Sequence, residues 1–194
     1  MVEIVGIIGR TRSGKTTLAN KINHVLGHEV MSFGEYVRRE VAMAWFKTSP
    51  SHVRRKKWGE LESENKSELR PILASWGHGR REHSDVDYWV DKLFHDIEHR
   101  GVEKIVIDDI RYPNEMLSVI EAGGKIIRLY ADDSLLVERG ATEESLAHPS
   151  ENSLTHLTLP EIANEDRCFT IPAEYDMRTM WPTLLKILTD GEEE

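Results

Sequence analysis

Short apolar runs alternate with longer amphipathic ones along this chain. Residues 2–8 form a compact apolar run of strand length, and residues 15–26 carry Leu18, Ile22, Val25 and Leu26 at helical spacing before Gly27. A glycine-containing turn joins them, so the chain opens as strand, loop, helix. Residues 29–32 predict a second strand. Ser32-Phe33-Gly34-Glu35 then has the spacing of a capping box and opens a helix to about Phe46, with Pro50 preventing its continuation. Residues 51–67 are polar, with helical fragments as their expected content. Leu69, Ile72, Leu73 and Trp76 make an apolar stripe that Pro71 interrupts early. Ser84 or Asp85 caps a further helix that buries Trp89, Leu93, Phe94 and Ile97 and closes at Gly101.

The next strand, "KIVID" at 104–108, lacks alternation, as expected of a parallel strand covered on both faces. Residues 114–122 read as a helix, "KIIRLYA" from Lys125 and "FTIP" from Phe169 as strands, and 178–188 as the closing helix. Strands alternating with helices predict an α/β protein: a parallel sheet with helices on both faces and right-handed crossovers. The 194 residues suit one such domain.

No apolar run approaches the roughly 20 residues of a spanning helix, so the expectation is a soluble protein without a membrane partner. The amino terminus lacks the charged-then-apolar layout of a signal peptide. A single cysteine, Cys168, fits a reducing cytoplasm and simple packing. The net charge of −9 argues against a nucleic-acid partner, which needs long-range positive potential. Two basic patches stand out against it. "RRKKW" at 54–58 lies among Glu60, Glu62 and Glu64 and reads as solvated helix charge. "GRR" at 79–81 stays open between solvated charge and a binding role.

Gly9-Arg10-Thr11-Arg12-Ser13-Gly14-Lys15-Thr16 matches G-x-x-x-x-G-K-S/T, and the strand before and helix after that this phosphate-binding motif demands are both predicted. The plainer alternative is a glycine turn with an exposed lysine, but the four fixed positions arise by chance in only about one per cent of chains this long. The spacing has a chemical reason. Gly9 and Gly14 let the backbone N–H groups of Thr11, Arg12, Ser13 and their neighbours through Thr17 turn around a phosphate at the positive end of the helix. Lys15 then reaches the β- and γ-phosphates of ATP, and the Thr16 hydroxyl ligates Mg²⁺. A carboxylate at the end of a neighbouring strand must complete the metal site, and "KIVIDD" supplies Asp108 and Asp109. Either acid could serve.

A GTP switch would carry an Asn-Lys-x-Asp segment after the metal strand. The nearest string, Asn65-Lys66-Ser67-Glu68, precedes that strand and ends in Glu. Small size favours a small-molecule kinase instead, whose acceptor phosphate and transition-state charge call for arginines. Arg38, Arg70, Arg80, Arg81, Arg111 and Arg139 are candidates. Arg111 follows the metal acids closely, and Arg139 follows the "KIIRLYA" strand, where a closing lid would supply charge to the transferred group.

"DDIRYPNE" at 108–115 resembles the Asp-Val-Arg-Phe-x-Asn-Glu segment of the phage-type deoxynucleoside monophosphate kinases, and "HPSE" at 148–151 resembles their His-x-Ser-Glu lid segment. "LASWGHGRREHSDVDYWV" at 73–90 is similar to their acceptor segment. It differs at Ala74, His78 and Gly79, and Arg80 and Arg81 stand shifted from the family's arginine. The resemblance spans most of residues 4–152. It implies a three-layer P-loop fold in one domain, with a helical acceptor-binding insertion at about 33–100 and a lid at about 132–155. It further implies ATP as donor with Mg²⁺, a deoxynucleoside monophosphate as acceptor, and a host cytoplasm if the chain is phage-encoded. Phe33, Arg70, Arg80, Arg81 and Arg111, and through the resemblance of the lid segment His148, Ser150 and Glu151, are the expected acceptor contacts, while Lys15, Arg111 and Arg139 are expected to serve the transfer. Phe33, Tyr36, Trp76 and Trp89 are candidate stacking planes, with Trp89 better suited to the core. Glu115 suits a helix cap as well as a substrate contact. Another small acceptor, such as dephospho-coenzyme A or a sugar acid, remains open, as do a nucleotide-binding protein without turnover and assembly as a homodimer.

Overall fold

Every predicted strand joins one five-stranded, all-parallel sheet. β1 (Glu3–Gly9), β2 (Glu29–Met31), β3 (Lys104–Ile110), β4 (Lys125–Tyr130) and β5 (Cys168–Pro172) lie in the order β2-β3-β1-β4-β5. The computed structural model describes residues 2–48, 66–148, 151, 153–154, 167–174 and 176–189. Pro50, the polar stretch 51–65 with its "RRKKW" patch, Ser150 and the acidic tail at 192–194 lie outside these residues. The chain divides into two compact units, Met1–Met31 with Val102–Glu194, and Ser32–Gly101.

The first unit holds the sheet. Ile105, Val106 and Ile107 are fully buried, which explains why β3 shows no polar alternation. Along β1 the period of two sends Val5 and Ile7 into a core shared with α1 (Lys15–Leu26) and α8 (Met177–Thr189). Gly6 faces the other way, where a Cβ would lie 3.4 Å from Val119 on α5 (Pro113–Glu121). Helices therefore cover both faces. Gly27 closes α1 in the left-handed conformation, as its position predicts. α5 starts at Pro113, one residue before the predicted Asn114, because proline suits the first helical turn. Lys125 donates to the carbonyls of Ile187 (2.8 Å) and Leu188 (3.3 Å), so its charge meets the negative end of α8. Among the described residues between β4 and β5 lie two short helices, α6 (Asp133–Glu138) and α7 (Glu143–Ala147). Elements of five or six residues are too brief to carry a periodic signal.

The second unit is helical among its described residues: α2 (Phe33–Thr48), α3 (Lys66–His83) and α4 (Tyr88–Arg100). Ser32 Oγ accepts from the Glu35 N–H at 3.2 Å, giving one half of the expected capping box, while the Glu35 carboxylate receives Arg39 at 2.5 Å. α3 runs through Pro71. Leu69 and Gly77 on α3 are buried, and Trp89 is a core residue whose Nε1 donates to the Gly77 carbonyl at 3.0 Å. At the centre of this unit Glu40 accepts from Trp76 Nε1 (3.0 Å), Arg80 Nε (3.0 Å) and Tyr88 OH, and pairs with Lys92 (3.2 Å). Burial works to raise the Glu40 pKa, but the hydrogen bonds from Tyr88, Trp76, Lys92 and Arg80 outweigh it and hold the carboxyl at about 2. Among the described residues no helix is long and apolar enough to cross a membrane.

Candidate active site

The turn between β1 and α1 is shaped by backbone conformations that side chains resist. Gly14 has φ 98° and Arg12 has φ 61°, both left-handed, so the chain curls before α1 begins. A Cβ on Gly9 would meet Ser13 Oγ at 2.5 Å and the Leu129 carbonyl at 2.9 Å, which leaves only glycine for that position. Ser13 is buried, and its Oγ has no hydrogen-bond partner among the described residues. The loop thus offers an unused polar atom and the positive end of a helix to an anion.

Lys15 folds over the loop, donating to the carbonyls of Gly9 (2.6 Å) and Arg10 (2.7 Å). Burial, and then the neighbouring charge of Arg111, pull its pKa down to about 8, against the opposing influence of Glu151, Asp108 and Asp109. Thr16, the second residue of α1, places its Oγ1 3.0 Å from Asp108 Oδ2, while Thr17 is exposed.

Both acids owe their placement to an irregularity in the sheet. Gly6 pairs with Ile107 and Ile8 with Ile110, so Asp108 and Asp109 together stand opposite Ile7 alone. The extra residue breaks the alternation that would send consecutive side chains to opposite faces, and Lys15 feels the charge of both acids. The chain then turns, and Glu115 Oε2 accepts from the backbone N–H groups of Arg111 (2.8 Å) and Tyr112 (3.1 Å). Glu115 is 1% exposed and caps α5, with Tyr112 as the N-cap residue. The Arg111 guanidinium pairs with Glu151, and its carbonyl accepts from Ser153 Oγ. Burial opposes the charge of Arg111, but Glu151, Asp109 and Glu115 outweigh it and push the pKa further up. Glu151 Oε2 also accepts from the Thr11 N–H at 2.5 Å.

The structure therefore gathers Gly9, Thr11, Ser13, Gly14, Lys15, Thr16, Asp108, Asp109, Arg111 and Glu151 around one loop. Arg139 is directed elsewhere, its Nη2 donating to the Ala173 carbonyl at 2.7 Å. His148 is exposed, and its carbonyl accepts from the Glu151 N–H at 2.9 Å. In the second unit Phe33 is buried, Arg70 is exposed, Arg80 is held by Glu40, and Arg81 Nη1 donates to the Gly77 carbonyl at 3.2 Å. Sequence reasoning missed Arg10, which pairs with Asp133 and donates to the Leu146 carbonyl at 3.4 Å, and Ser153 beneath Arg111. Arg10 occupies a variable position of the motif, and only its proximity to α6 and α7 gives it a role.

Among the described residues no three His, Cys, Asp or Glu side chains cluster to hold a metal by themselves. The Thr16 hydroxyl and Asp108 carboxylate are hard oxygen donors already within hydrogen-bond distance of each other, a pair that fits Mg²⁺ shared with phosphate and water.

No family model matches the chain, and no curated protein does either. Solved structures do. Shikimate kinase from Acinetobacter baumannii in complex with shikimate is 15% identical, with 100% of this chain and 97% of that one covered and a TM-score of 0.54. A sugar kinase from a Janibacter species is 15% identical over 97% and 95%, with a TM-score of 0.53. A gluconokinase from Sinorhizobium meliloti is 16% identical over 97% and 92%, with a TM-score of 0.52. At such identities the likeness establishes the fold: a parallel sheet flanked by helices, as in the P-loop kinases.

Proposed function

We propose that this protein is a kinase that moves the γ-phosphoryl group of ATP to a small acceptor, and that the acceptor is a deoxynucleoside monophosphate. The observation that carries the first half is the convergence of Lys15, the Thr16–Asp108 pair and Arg111 on one glycine loop at the start of α1. The second half rests on the "DDIRYPNE" and "HPSE" segments, whose members Asp108, Arg111, Glu115 and Glu151 meet at this loop.

In this reading the loop N–H groups and Lys15 hold the β- and γ-phosphates. Thr16 and Asp108, with Asp109 alongside, would hold Mg²⁺, which would supply positive charge against the phosphate oxygens. The acceptor oxygen attacks the γ-phosphorus, the bond to the β–γ bridging oxygen breaks, and ADP departs with the electron pair. Arg111, which feels the charge of Asp109, steadies the acceptor phosphate or the transferred group. Arg139 serves the transfer on leaving the Ala173 carbonyl, and His148 and Ser150 belong to the acceptor side. Phe33, Arg70, Arg80 and Arg81 are further acceptor contacts in this reading, and Arg80 would exchange Glu40 for its ligand. No covalent enzyme intermediate is needed; positioning and charge neutralisation suffice.

A sugar acid is the second reading. Ala74, His78 and Gly79 depart from the nucleotide-kinase pattern in the acceptor segment, and the solved kinases of like fold include one named for shikimate and one for gluconate. A panel of deoxy- and ribonucleoside monophosphates, gluconate, shikimate and dephospho-coenzyme A, assayed with ATP and Mg²⁺ and with products identified, separates the two. Diphosphate formation from a deoxynucleotide supports the first. Turnover confined to a sugar acid overturns it.

A further inference from the structure

A phosphate loop needs acids for its metal, and Asp108 and Asp109 supply them. Glu151 is a third carboxylate at the same place, and it makes contacts of another kind. Its side chain is 7% exposed. One oxygen accepts from the Thr11 N–H of the loop at 2.5 Å and the other from the Arg111 guanidinium. A backbone N–H of a glycine loop and an arginine fork are the partners that a phosphate oxygen takes in such a site. The loop also draws an anion for electrostatic reasons, because the charges of Lys15 and Arg111 act on one another there and Glu151 offsets both.

We propose that Glu151 is a built-in competitor for the phosphate position: its carboxylate occupies the ligand-free loop, and a nucleotide phosphate enters by displacing it from Thr11 and Arg111. The inference rests on the loop being the donor site. Binding is then an exchange, in which charge-assisted contacts to Glu151 are given up as those to phosphate form. Affinity falls in proportion to the fraction of molecules whose loop is open. Displacement also frees Arg111 only when a phosphate arrives, which ties the arginine's availability to donor binding. Arg111 and Glu151 thereby act as a matched pair, 40 residues apart in the chain.

The probes are inorganic pyrophosphate and ADP, titrated calorimetrically into the full chain without metal, for the wild type, Glu151→Gln, Glu151→Ala and the exposed-acid control Glu138→Gln. With an open state populated at roughly a tenth or less, both Glu151 variants bind pyrophosphate about tenfold or more tightly than wild type. The control, which removes one negative charge elsewhere, changes affinity by no more than about twofold. Hydrogen exchange supplies an independent readout. The Thr11 amide is protected in the ligand-free wild type and loses that protection in Glu151→Ala. Equal or weaker pyrophosphate binding by both variants overturns the proposal. An unprotected Thr11 amide in the ligand-free wild type does so too, whether or not the variants fold. Absence of pyrophosphate and ADP binding in every protein would overturn the donor-site reading, and this inference with it.

Discussion

Lys15 keeps its ammonium on two loop carbonyls, with burial and Arg111 holding its pKa near 8. A polyphosphate adds negative charge beside it and raises that value. Below pH 8 the lysine is already charged and binding takes up no proton there. Above it, binding must protonate Lys15, so affinity falls as pH rises and proton uptake appears. Calorimetry of ADP binding at about pH 7 and pH 9 in buffers of different ionisation heat should show uptake only at the higher pH. His28 is a second titrating residue with a structural part. It is fully buried, with Nε2 3.0 Å from Glu3 Oε1 and Lys104 pairing with the same carboxylate at 2.9 Å. Burial lowers its pKa from 6.5, against the pull of Glu3, so the folded protein favours the neutral ring. The corresponding stability is present above about pH 6.5 and is lost as pH falls through the lowered value. Urea midpoints should therefore drop between about pH 7.5 and 5.5, and His28→Gln should flatten that drop.

At the scale of elements, α5 owes its start to Glu115, which also fixes the backbone of Arg111. Glu115→Ala leaves two part-buried N–H groups without their acceptor and should cost about 1–3 kcal/mol in urea denaturation, with a loss of transfer activity through Arg111. Gly9→Ala places a methyl group against Ser13 Oγ and the Leu129 carbonyl, so the loop must shift. Nucleotide binding should be lost in that variant while the far-ultraviolet circular dichroism stays that of the wild type. The long elements were legible in the sequence. α1 and α4 combine helical periodicity with a closing glycine, and β1 and β3 are uninterrupted apolar runs. The slip in register at Asp108 and Asp109 was not legible, because an apolar run followed by two acids looks the same with or without it. Pro71 interrupts the apolar stripe in the sequence, yet the apolar positions on either side of it share one helix.

Over the whole molecule, alternation of strands and helices was enough to anticipate a parallel sheet covered on both faces. The candidate site divides by sequence distance. The loop from Gly9 to Thr16 is contiguous and therefore readable, and its chemistry calls for a carboxylate that the chain supplies once in a buried strand. Contacts made across 40 and 140 residues, as from Glu151 to Arg111 and Thr11, leave no local pattern. The Glu40 network that holds Arg80 is hidden for the same reason, its partners coming from two other helices. The most direct test of the phosphoryl-transfer account is ³¹P nuclear magnetic resonance of ATP with Mg²⁺ and the acceptor panel, run on the wild type and on Lys15→Met. The account predicts that the γ-phosphate signal of ATP is replaced by that of a phosphorylated acceptor with the wild type, and that Lys15→Met, still folded by its melting curve, leaves ATP intact. Full transfer by Lys15→Met, or no transfer to any acceptor by a wild type that binds ATP, would contradict it.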